Sequence, residues 1–220
     1  MQPTETRDAV VTAETSGGGR QSARPKPGER RVHILQTLAS MLETPRGEKI
    51  TTAALAARLG VSEAALYRHF ASKAQMYEGL IDFIEETLFA LINQIVAKEP
   101  SGVLQARAIA LMLIHFSAKN AGMTRVLTCE ALVGEHERLA GRVNQMLDRV
   151  EASLRQCLRV AVAETADSPA ALPLPKGYDP AVRANLIVRY VIGCWHRYAQ
   201  SGFARAPGEY ADEQIRILLQ

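Results

Sequence analysis

Residues 50–73, ITTAALAARLGVSEAALYRHFASK, bring Glu63, Tyr67, Arg68 and His69 within seven positions, flanked by Thr51, Ser62 and Lys73. These groups suit contact with a nucleic acid. An arginine donates bidentately to guanine, and small residues such as Ala64 and Ala65 permit close approach or touch a thymine methyl. Tyr67, His69, Thr51 and Lys73 suit phosphate oxygens, which set register without reading sequence. For Tyr67 and His69, packing against the first helix is the alternative, for His69 as strong as the DNA reading. The candidate DNA-contacting set is Thr51, Ser62, Glu63, Ala64, Ala65, Tyr67, Arg68, His69 and Lys73.

Such a set works only if a rigid element presents it. Thr51 is placed to cap a helix over Thr52 to Leu59, with Leu55, Ala56 and Leu59 inward. Gly60 can take the left-handed conformation that ends it. Ser62 then caps a further helix, with Glu63 in the first turn, where an anion is favoured. Ala56, Gly60 and Leu66 supply the small residue, the turn residue and the apolar lock that two crossing helices need. The pattern predicts a helix-turn-helix. With Leu66 and Phe70 facing inward, Glu63, Ala64, Tyr67 and Arg68 lie on or near the outward face, the geometry of a major-groove recognition helix.

Charge supports this placement. Residues 20–73 hold ten basic and four acidic residues, whereas residues 81–220 hold fifteen of each. A local basic excess marks a polyanion partner, although a solvated basic surface has the same composition. Hydrophobic residues make up 47% of the chain, with little Val/Ile/Thr alternation, which favours an all-α protein. Cys129, Cys157 and Cys194 are odd in number and widely spaced, so neither a disulfide framework nor a zinc site is expected and a reducing cytoplasm fits. His136 within GEHER and His115 lack a second ligand at helical spacing, so no metal is expected. No phosphate loop, GxSxG elbow or HExxH occurs, and no catalytic residue or cofactor is expected. The most apolar window, Val103–Phe116, falls short of the roughly 20 residues a membrane-spanning helix needs.

The remaining elements follow from periodicity and breakers. Residues 1–28 read as a disordered arm carrying Arg20, Arg24 and Lys26. A first helix is expected from about Glu29 to Glu43, and Ser72, with Gln75 as capping-box partner, opens a long fourth helix. Further helices are expected at 103–118, 123–132, 136–163, 181–201 and 208–219, with a proline-rich loop at 167–180. This divides the chain into an arm (1–28), a DNA-binding head (29–73) and a helical body (74–220). The apolar stripes of the 136–163 and 181–201 helices are either core or a two-fold interface. DNA half-sites spaced by helical turns favour the interface, with Tyr190, Cys194, Trp195 and Tyr198 as candidates.

ITTAALAARLGVSEAALYRHF, the following SKAQMYEGLIDFIEETL, and the later NAGMTRVLTCEAL and RLAGRVNQMLDRVEASLRQCLR resemble the TetR family of dimeric bacterial DNA-binding proteins. Within it they are most similar to the SlmA branch of nucleoid-occlusion factors, over roughly residues 29–160. The resemblance implies a three-helix head on a helical body that forms a homodimer through its last two long helices. It implies binding to palindromic double-stranded DNA on the nucleoid and antagonism of FtsZ, the tubulin-like division protein, with Phe83 and Lys119 at the FtsZ-facing surface. Core packing is the alternative for Phe83. A TetR-type repressor released by a small apolar effector is the alternative function. The chain departs from the family in Ala71, where proline is usual, and in Lys119, where an arginine suited to FtsZ is expected; lysine keeps the charge but loses the planar fork.

Overall fold

The structure is a computed structural model that describes residues 27–44, 49–167 and 174–220. The arm up to residue 26, with Arg20, Arg24 and Lys26, and residues 168–173 of the proline-rich loop lie outside the described residues. Nine α-helices make up the described chain: α1 (Pro27–Met41), α2 (Thr52–Leu59), α3 (Glu63–Tyr67), α4 (Lys73–Lys98), α5 (Gly102–Lys119), α6 (Ala121–Leu127), α7 (Arg138–Asp167), α8 (Pro180–Gln200) and α9 (Ala211–Leu219). A short 3-10 turn, Glu130–Leu132, follows α6.

Several helix bounds differ from expectation by two or three residues, α7 and α9 opening at Arg138 and Ala211, and two of the differences have local reasons. The first helix opens at Pro27, two residues earlier than expected, because a proline's fixed φ suits the first turn. The Asn-Ala-Gly triplet at 120–122 interrupts the chain for only one residue. Asn120 leaves helical geometry, its Nδ2 donates to the Phe116 carbonyl at 2.8 Å, and α6 begins at once. Gly122 is required there for contact rather than for a break. A Cβ at this position would lie 1.9 Å from the Ala39 carbonyl oxygen, so its absence lets α6 pack directly on α1.

One continuous hydrophobic core runs from Ile34, Leu35 and Leu38 of α1 to Ile215 of α9. The long helix α4 starts under the head and continues through the body, and α5 is its buried axis, with Ile109, Leu113 and Ile114 almost wholly enclosed. This overturns part of the interface reading. Trp195 is 0% exposed and its indole N–H donates to the Leu113 carbonyl at 3.2 Å. The Tyr198 hydroxyl donates to the Ala118 carbonyl at 3.4 Å, and that ring too is buried. Both side chains belong to the protomer's own core, because their stripe on α8 faces α5. Tyr190 and Cys194 stay half-buried at the α8 surface, with the Tyr190 hydroxyl donating to Gln214 Oε1 at 2.6 Å. Beside them, Val182 and Leu186 on α8 and Ile217 on α9 are exposed apolar groups.

Candidate nucleic-acid interface

The head is assembled by consecutive local signals. Thr51 Oγ1 accepts the Ala54 N–H at 3.1 Å and starts α2. Gly60 sits at φ 65°, and the N–H groups of Gly60 and Val61 close on the carbonyls of Ala57 and Ala56 at 3.1 and 3.0 Å. That pair of bonds satisfies the last carbonyls of α2 and turns the chain. Ser62 Oγ accepts the Ala65 N–H at 3.3 Å and starts α3. Leu66 and Phe70, each 1% exposed, anchor the inner side of α3. From α1, the Arg31 guanidinium lies 4.1 Å over the Phe70 ring and donates to the His69 carbonyl at 3.1 Å, which secures the end of the turn.

With its inner face anchored, α3 presents Glu63, Ala64, Tyr67 and Arg68 to solvent. Thr51 and Ser62 are exposed at the two caps, while Ala65 and His69 are half-buried. The face also contains a residue that sequence reasoning missed. Thr52, the first residue of α2, donates its hydroxyl to Glu63 Oε2 at 2.6 Å and accepts from the Tyr67 hydroxyl at 3.5 Å. The two helices of the motif are thus tied across their outward side. No spacing rule marks Thr52, since its partners lie 11 and 15 residues away.

Lys73 does not join this face. Its ammonium pairs with Glu135 Oε1 and lies 5.7 Å from the Tyr77 ring centroid, so the residue expected at a phosphate ties the start of α4 to the body. Burial, and then the Glu135 charge, push the Tyr77 hydroxyl up to about 12. The expected capping box at Ser72 is slightly displaced. Ser72 Oγ accepts from the Gln75 N–H at 3.2 Å, and Gln75 Oε1 accepts from the Ala71 N–H at 2.9 Å, a bond that a proline at 71 could not make.

Phe83 and Lys119 come together. Both line an open groove of about 710 Å³ bounded by α1, α4, α5 and α6, with Leu91, Met112, Phe116 and Met123 as its apolar wall. Lys119 is exposed at the rim and Phe83 is half-buried. Burial pushes the Cys129, Cys157 and Cys194 thiols up, away from reactive thiolate. His136 Nδ1 accepts the Arg138 N–H at the start of α7. Among the described residues no three His, Cys, Asp or Glu side chains gather as metal ligands, and no helix is long and apolar enough to cross a membrane.

Residues 48–80, which span α2, α3 and the start of α4, match the model of bacterial regulatory proteins of the tetR family. Residues 101–220 match the SlmA-like model of a tetracyclin repressor-like C-terminal domain. The nucleoid occlusion factor SlmA of Idiomarina loihiensis is 46% identical over 191 residues, covering 87% of this chain and 94% of that relative. The chain belongs to the SlmA branch of the TetR family. The SlmA protein of Alteromonas mediterranea is likewise 46% identical, over 86% of this chain and 93% of its own. At the level of fold, a TetR transcription regulator from Haloarcula marismortui superposes with a TM-score of 0.72 at 14% identity, over 87% and 97% of the two chains. As a TetR-family member, the chain is an all-helical DNA-binding protein and not an enzyme.

Proposed function

We propose that this protein is a homodimeric nucleoid-occlusion factor. Bound to palindromic chromosomal sites in the cytoplasm, it antagonises FtsZ assembly and so blocks septum formation over the nucleoid. The observation that carries this reading is the near full-length likeness to SlmA proteins, joined to an α3 whose polar face is free for the major groove. A dimer follows from the need to engage two half-sites. Exposed Val182 and Leu186 and half-buried Tyr190 and Cys194 on α8, with exposed Ile217 on α9, supply an apolar surface for it.

The groove holding Phe83 and Lys119, with an apolar wall and one charge of each sign in Lys119 and Glu43, suits an extended, largely apolar peptide. Because α1 of the head forms one wall and α5 of the body another, an occupant touches both units. Anything that biases the head, DNA included, then biases the groove. The rival reading, a repressor released by a small apolar effector, would place its ligand inside the body. There Ile109, Leu113, Ile114 and Trp195 are packed together, each at most 1% exposed.

FtsZ polymerisation followed by light scattering, with and without the cognate palindrome, tests the proposal. Inhibition should strengthen when DNA is present. Lys119→Glu should keep DNA affinity and lose inhibition. Unaltered FtsZ assembly in both conditions would discard the FtsZ role and leave a DNA-binding repressor.

A further inference from the structure

The DNA-facing side of α3 opens with an acid. Glu63 is exposed at the first position of the helix, where it faces the same polyanion that Arg68 serves. Stabilising the helix dipole would explain a carboxylate at this position. It would not explain why that carboxylate is held from outside its own helix. Thr52 of α2 donates to Glu63 Oε2 at 2.6 Å, and the Tyr67 hydroxyl lies behind Thr52 at 3.5 Å, so one oxygen is fixed and the rotamer is set. The other oxygen, Oε1, has no hydrogen-bond partner among the described residues.

We infer that Glu63 is a specificity-determining residue that reads the exocyclic amino group of a cytosine in the major groove, and that Thr52 is its positioning residue. The inference rests on the DNA-binding reading above and names the chemistry of one contact within it. An ionised carboxylate only accepts hydrogen bonds. It is repelled by phosphates and by the O6 and N7 acceptors of guanine, and it is satisfied by the N4 amino group of cytosine. Adenine offers an amino group next to the N7 acceptor, a pattern that matches an amide and clashes with a carboxylate. An acid on a DNA-binding face therefore weakens binding to every wrong sequence, which gives discrimination at some cost in general affinity. The Thr52 hydroxyl makes this filter rigid, because a freely turning glutamate would swing away from a mismatched base.

The test is selection from a randomised palindromic library with the full-length protein, comparing the wild type with Glu63→Gln, Glu63→Ala, Thr52→Val and Thr52→Ser. The wild type should enrich cytosine at one symmetry-related position of each half-site. Glu63→Gln should convert that preference to adenine, and Glu63→Ala should erase it, a change of about tenfold in relative affinity at that position alone. Thr52→Val should blunt the preference and Thr52→Ser should restore it, whereas a merely structural threonine would change affinity for all sequences alike. Both Glu63 variants should bind random DNA more tightly than the wild type. A wild-type preference that Glu63→Gln and Glu63→Ala both retain would overturn this inference alone. Absence of any sequence preference in the wild type would overturn the DNA-binding reading beneath it as well.

Discussion

The head and the seam between α4 and α7 use charge in opposite ways. Along the seam, Glu78 pairs with Arg138 at 2.6 Å, Asp82 with Arg142 at 2.8 Å, and Glu85 with both Arg142 and Arg149. Arg149 also stacks 4.3 Å over Phe89, and Lys73–Glu135 continues the series toward the head. Along this seam the charges are thus neutralised within the protomer. In the head, Arg58 and Arg68 are exposed and enter no ion pair among the described residues. On the recognition face those cations are available to a partner's anions, whereas along the seam the paired ones tie two helices together. Net charge over the whole chain, +3, conceals this division.

The contrast can be attacked at both ends. The largest effect should come from the body's interior. Trp195→Ala should cost about 3–5 kcal/mol of stability in denaturant unfolding, as an enclosed aromatic does. A tryptophan at a two-fold interface would instead shift the monomer–dimer balance and leave protomer stability intact. Next, Arg68→Ala should cost about 1–3 kcal/mol of discrimination for the cognate site while leaving unfolding unchanged. Ser62→Ala should remove about 1 kcal/mol, seen as a lower melting temperature and a weaker DNA complex together, since the cap and the recognition surface are one element.

The smallest effect sharpens the boundary between the two regions. Lys73 and Glu135 should show a coupling of about 0.5–1 kcal/mol in a double-mutant stability cycle. Lys73→Ala should leave the salt dependence of DNA binding nearly unaltered. If Lys73 contacted a phosphate instead, the slope of log affinity against log salt would fall by about one.

Regions built from neighbouring residues were the ones readable in the sequence. Thr51, Gly60, Ser62 and Ser72 each act within four residues of their own position, so the spans of α2 and α4 followed from caps and breakers. Contacts across the chain left no such mark. Periodicity shows that Trp195 is covered but not that α5 covers it, and a lysine in Ser-Lys looks the same whether it meets a phosphate or Glu135, 62 residues away. Gly122 resembles a helix breaker until α1 is seen against it. Within the candidate site, the outward set on α3 was legible because Leu66 and Phe70 determine what remains outside. Thr52 was not, because its role depends on how two helices cross.

The most direct measurement is a competition experiment by fluorescence anisotropy. The wild-type protein, bound to a labelled palindrome obtained by selection, is challenged at moderate ionic strength with the same palindrome and with random duplex. The palindrome should compete about a thousandfold better or more, the margin typical of specific recognition, and Arg68→Ala should remove most of that margin. Equal competition by random duplex would contradict the assignment of α3 as a sequence-reading element.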